Sequence, residues 1–345
     1  MFENLEAAHA AFSDFAPDAL REVIAALLLQ VTVLVPSEDQ DKRSLTFVGG
    51  APIMSKDLLW PMPALPYDAE SFAQRGGQNH SQAFRDTLEG GLPYVFFGQV
   101  DLSVLPESDL PNTGRLLFFY DMAEGMWENS AQSAKVIWDQ SPTDELIEFP
   151  LNETLIKAEA DWNSEARAYV PEPFVMDDVV RKMMIDAGIS EEDVNAMGDV
   201  EVSLPDYEDR RIYVGPKRLM QVEQQYQTPT PFNLEWGYFA QAVVGSSPQT
   251  LTVEELADLY TDAEIEYEYR APFQLLGLPS PEQDDPRREP PTLNQESQFL
   301  RLLFQVSLSD WWKDENTEGT VYFLIRDSDL KAHNFDAVIA IYQQT

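Results

Sequence analysis

The sequence predicts an α+β fold built on an internal duplication, and three observations lead there. Hydrophobic residues make up 44% of the 345-residue chain and aromatics 11%, including seven Trp, which is too much apolar surface for a disordered chain. The 24 prolines favour a loop-rich α+β or β fold over a helical bundle, because proline is excluded from helix interiors and central strands. Finally, nearly the same strand is written twice, as "VFFGQVDL" from Val95 to Leu102 and as "LLFQVSLS" from Leu302 to Ser309.

The elements follow in chain order. Leu20, Val23, Ile24, Leu27 and Leu28 form one stripe of a helix over Asp18–Leu29, with Pro17 at its start. The β-branched run Val31–Val35 is a strand that stops at Pro36. "LTFVGGAP", Leu45–Pro52, is a short strand ended by paired glycines. Tyr67–Gly91 is polar and reads as an exposed excursion. Asp177–Met197 reads as one or two helices, and Thr252 with Glu255 caps another. The proline-rich segment 279–293 reads as an irregular surface loop.

The repeat extends beyond the two glutamine strands. Gln99 is followed 15 residues later by Gly114 and "RLLFFYD", Gln305 14 residues later by Gly319 and "TVYFLIRD". Third strands follow at Ala134–Trp138 and Asp336–Tyr342, and a short glycine-ended strand precedes each unit. The apolar runs through Tyr94–Val100 and Leu302–Val306 mark central strands covered on both faces. Neither unit alone has enough sheet to bury both faces, so one domain with a shared core is expected. Its first unit spans about 44–140, a middle insertion about 155–265, and a second unit about 270–345.

A buried glutamine needs partners, since an unpaired buried amide costs about 1–3 kcal/mol. Gln99 and Gln305 either satisfy backbone groups where a neighbouring strand ends, or face a cleft between the units together with Arg115 and Arg301. Arg301 and Gln305 share a face at period two. Trp60 and the pair Trp311 and Trp312 are either lids over strand ends or a recognition platform.

Charge excludes several functions. The chain has 60 acidic and 23 basic residues, a formal net charge of -37, and such a field repels phosphate backbones and anionic headgroups. Nucleic acid and membrane are therefore not expected partners; a basic protein is. The longest apolar segment, Val23–Val35, is too short to span a bilayer, and a cytoplasmic location is expected. There is no cysteine and only three histidines. No nucleophile elbow, phosphate-cradling glycine loop or zinc spacing is present, so neither metal nor cofactor is expected, and no catalytic residue is assigned. With 60 acids, adjacent carboxylates such as Asp284 and Asp285 say little about acid–base chemistry.

The motifs "VGGAP...WPM" (Val48–Met62), "FGQVDLSVLP" (Phe97–Pro106), "GRLLFFYD" (Gly114–Asp121), "FQLLGLPSPEQ" (Phe273–Gln283), "LLFQVSL" (Leu302–Leu308) and the run Gly319–Gln343 together resemble the YwqG-like bacterial family of domains of unknown function. The resemblance covers roughly residues 30–345. It implies an α+β, mostly antiparallel fold with internal duplication, in soluble bacterial proteins without an established activity. It transfers no catalytic residue. The reading is a non-catalytic binding protein that neutralises a basic partner such as a toxin; the alternative is an enzyme of unrecognised type, with a polar cleft between the units.

Overall fold

The expected helix after Pro17 runs over Asp18–Ala26 as α2, preceded by α1 (Leu5–Ala11), whose N-terminus is capped by the Asn4 side chain on the Ala7 N–H. In this computed structural model the described residues are 1–40, 44–63, 86, 89–123, 125, 132–168, 178–187, 189–191, 194, 211–247, 250–265, 270–289, 300–313 and 318–344. Most of the Tyr67–Gly91 excursion and much of Asp177–Met197 lie outside them. The strands are β1 (Leu29–Pro36), β2 (Phe47–Val48), β3 (Ile53–Ser55), β4 (Val95–Asp101), β5 (Arg115–Tyr120), β6 (Ala134–Asp139) and β7 (Leu146–Glu148). They continue as β8 (Arg218–Gln227), β9 (Phe273–Leu275), β10 (Leu300–Ser307), β11 (Thr320–Arg326) and β12 (Ile339–Gln343). The remaining described helices are α3 (Glu153–Ala168), α4 (Asp178–Asp186), α5 (Trp236–Ser246), α6 (Val253–Asp262), α7 (Leu308–Trp312) and α8 (Asp327–Lys331). The capping box read from Thr252 and Glu255 is present at the start of α6.

Ten strands form one antiparallel sheet in the order β12-β11-β10-β9-β1-β8-β2-β4-β5-β6, while β3 and β7 pair separately. The fold is α+β and antiparallel, as expected. Its order has a property that the sequence did not disclose. From either edge inward the same sequence of strands is met, third, second and first after the short glycine-ended strand, then that short strand, then a central one. At the centre β1 pairs with β8 around Val35 and Gln221. Yet β1, which precedes β2 in the chain, lies against β9, and β8, which precedes β9, lies against β2. Each half thus inserts its leading strand into the other. The stretch 155–265 contains β8, a central strand, as well as helices.

The two halves agree in detail. A bulge sits at Phe97 between β4 and β5, and another at Leu303 between β10 and β11. Both bulged carbonyls accept from the residue after the short strand: Gly49 N–H to Phe97 O at 2.9 Å, Leu276 N–H to Leu303 O at 3.2 Å. Those donors have left-handed backbones, φ 68° at Gly49 and 56° at Leu276. A Cβ at Gly49 would lie 2.2 Å from the Pro216 carbonyl oxygen, so only glycine fits there. Leu102 N–H bonds Gly114 O at 3.0 Å, and Leu308 N–H bonds Gly319 O at 2.9 Å.

The sheet curls until its halves face each other across one core. Phe118 of β5 packs on Phe304 of β10 with centroids 4.5 Å apart, and Phe97 on Trp311 at 4.8 Å. The edges approach as well: Trp138 on β6 meets Phe335, just before β12, at 6.0 Å, and Lys135 pairs with Asp336. Outside the first half, β3 and β7 with Trp60 and Phe149 cover Phe47, Phe96, Leu117 and Phe119. A separate lobe buries the apolar faces of α1, α2, α5 and α6 around Phe12, Trp236 and Tyr260. Burial of this kind stabilises by about 25 cal/mol per Å² of apolar surface.

The segment at 279–293 departs from its reading as a surface loop. Its described part, through Glu289, is irregular apart from a 3₁₀ turn at Pro286–Arg288, but Asp285 and Arg287 are buried. Arg287 donates through Nε to Asp285 at 2.9 Å and through both Nη atoms to Glu235 at 2.7 and 2.6 Å. Burial pulls the guanidinium's pKa down; the hydrogen bonds and charges of the two carboxylates outweigh it and hold the group above its ordinary value.

Candidate functional site

Each glutamine spans its neighbouring short strand. Gln99 accepts the Ile53 N–H at 2.8 Å and donates to Leu45 O at 3.0 Å; Gln305 accepts the Ser280 N–H at 3.0 Å and donates to Ala271 O at 2.7 Å. β2 and β9 are two and three residues long, so the chain bends away on both sides and leaves backbone groups without a ladder partner. The amide replaces the missing strand. Both side chains are at most 1% exposed.

The other named residues are engaged as well. Arg115 donates to Asp139 at 3.0 Å and to Ser141 O at 2.7 Å, with both side chains of the ion pair buried. Asp139 also accepts the Ser55 N–H at 3.0 Å. At the matching place in the second half, Gln343 accepts the Glu282 N–H at 3.2 Å. Arg301 is a surface group held by Asp109 and Asp327. Trp60 donates to Tyr94 O at 2.8 Å, and fully buried Trp311 donates to Phe97 O at 2.8 Å. Trp311 locks α7 of one half onto the bulge of the other. Gln99, Gln305, Arg115 and Trp311 are interior groups with protein partners, whereas Arg301 sits outside; they do not line a common solvent-reachable cleft.

Among the described residues, two concave places stand out. One, a small cavity of about 20 Å³, lies beside the end of β8 and the 279–281 turn. Its polar groups bond one another: Gln227 donates to Leu278 O at 2.7 Å, Asn233 to Pro279 O at 2.9 Å, and Arg270 pairs with Glu282. The other is an open groove of about 580 Å³ between α1 and the end of α6. Sequence reasoning missed it, although the alanines of "LEAAHAAF" are its signal. Among the described residues no group of three or more His, Cys, Asp or Glu is arranged to hold a metal ion, and no helix is long and apolar enough to cross a membrane.

The interior tyrosines carry a pH prediction. Burial first, then the Asp121 carboxylate, pushes Tyr94 up to about 12 from 10.0. Burial, then Glu318 and Glu282, does the same to Tyr342. Tyr120, Tyr260 and Tyr322 are raised too, again chiefly by burial. A raised phenol contributes stability that is whole below its unfolded value and lost as pH climbs toward the folded one. The fold is therefore expected to weaken between about pH 10 and pH 12. Tyrosinate absorbance and far-ultraviolet circular dichroism, followed together, should change in one cooperative step; free titration of all tyrosines before any loss of structure would contradict it.

No curated protein matches the sequence. A family model described as a domain of unknown function (DUF1963) matches residues 46–343, which takes in the strands from β2 to β12 and leaves α1, α2 and β1 outside. By that match the chain belongs to the DUF1963 family of domains of unknown function.

Proposed function

We propose that this chain is a non-catalytic interaction protein of the YwqG-like kind, working in a bacterial cytoplasm and capturing a basic protein, such as a toxin, through its acidic surface. The observation that carries the reading is the excess of 60 acidic over 23 basic residues. Such a field accelerates encounter with a cationic partner and makes it salt-dependent. The interior places of Gln99, Gln305 and Arg115, each satisfied by protein partners, favour this reading over an enzyme with a polar cleft. We also infer that the fold arose by copying one five-stranded module, whose copies exchanged leading strands. The matched bulges and glutamine anchors support this origin.

The test is capture from the native host at low salt. The expected result is a basic protein retained at about 50 mM salt and released at about 500 mM, where the Debye length shrinks to a few ångströms. Failure to retain any basic protein at low salt would remove the proposal.

A further inference from the structure

Resting on that reading, we propose that the groove between α1 and the end of α6 is the docking site for a basic amphipathic helix of the captured protein. Ala7, Ala10 and Ala11 line it with small side chains, Ala10 exposed and Ala7 and Ala11 partly packed on the core of the helical lobe. Phe15, 46% exposed, stands at its wall, and exposed Asp262 and Glu264 stand at its other side. The groove is open rather than enclosed, with a volume of about 580 Å³. Its form fits a helix laid along it better than a compact ligand.

The choice of occupant follows from charge. The two ionisable groups lining the groove are both acids, and the segment that builds its first wall carries Glu3, Glu6 and Asp14 against His9 alone. An apolar floor with an acidic rim is complementary to a helix with apolar residues on one face and Lys or Arg at the flanks. α1 lies outside residues 46–343 of the family match. The groove is thus assembled from a family element and a segment the family model does not cover, which makes it a place for a property particular to this chain.

The test uses the whole protein and labelled synthetic peptides of about 15 residues, long enough to form a helix on binding. One has Leu at helical spacing and Lys elsewhere, one is its scramble, and one carries Glu in place of Lys. Fluorescence anisotropy at low salt should show the amphipathic Lys peptide binding about tenfold or more tightly than its scramble, and the Glu peptide not binding. Ala10→Arg, which fills and recharges the floor, should weaken the Lys peptide by about tenfold with the melting temperature unchanged. Phe15→Glu is the second variant, made at an exposed side chain that the fold tolerates, and should reverse no preference for Lys but abolish that for helical spacing. Asp262→Asn with Glu264→Asn should flatten the salt dependence; Asn suits the left-handed backbone of residue 264, φ 51°. Equal binding of peptide and scramble, or wild-type binding by both floor and wall variants, would overturn the groove while leaving capture by general charge intact. No binding of any Lys peptide at low salt would overturn both.

Discussion

Arg287→Met is expected to destabilise the protein by about 3–5 kcal/mol, because it leaves the Asp285 carboxylate buried without its cation. Asp285 is 0% exposed, and its Oδ atoms also accept the Leu234 and Arg287 N–H groups at 2.9 and 3.0 Å. The cluster joins the 279–289 segment to the start of α5 and thereby ties the helical lobe to the second half of the sheet. Urea unfolding measures the loss as a shift in midpoint. Adding Asp285→Asn to Arg287→Met should recover part of it, since the stranded charge is then gone; a single variant as stable as the wild type would show that the pair carries no weight.

Gln99→Leu and Gln305→Leu are expected to cost about 2–6 kcal/mol each. Either change strands one buried N–H and one buried carbonyl, at about 1–3 kcal/mol per unsatisfied group. Glutamate at either position should be worse, since it cannot donate to Leu45 O or Ala271 O and brings a charge into the core. The two leucine variants should resemble each other in thermal unfolding because the two amides hold equivalent backbone groups. A loss confined to one of them would show that the halves are not energetically matched.

These two sites also show what the sequence discloses. The glutamines were legible because an amide inside an unbroken apolar run is chemically conspicuous, and nearly the same run surrounds both of them. The paired glycines after β2 announced a turn for the same local reason. β8 was not legible. Its outer face carries Gln221, Glu223 and Gln225, so it reads as a polar linker, and its place in the centre depends on β1, nearly 190 residues earlier in the chain. The segment around Arg287 departs in the opposite way. Proline correctly gave irregular backbone at 279–289, but burial came from Glu235, 52 residues away, and no local pattern encodes that. Trp311 is open between packing and recognition in the sequence, and its carbonyl partner, Phe97, lies 214 residues away on the opposite half. The groove was invisible because alanine-rich helix faces mean packing as often as docking, and α6 had to be placed beside α1 before the concavity existed.

The crossed placement of β1 and β8 has a consequence for folding. β1 finds both its neighbours, β8 and β9, in the second half, and β2 needs β8. The long-range pairing closes large loops, which slows folding relative to a local hairpin arrangement. It also means that a half-chain exposes two unpaired strand edges, which favours association with its counterpart.

Cutting the gene between the codons for Val194 and Arg211 and purifying the two fragments tests the interlocked architecture most directly. Neither fragment alone should unfold cooperatively, and mixing them should restore a one-to-one complex with the circular dichroism and urea midpoint of the intact chain, less the entropic cost of bringing two chains together. A first fragment that folds alone as a monomer, with the β1 amides protected from hydrogen exchange as in the whole protein, would contradict it.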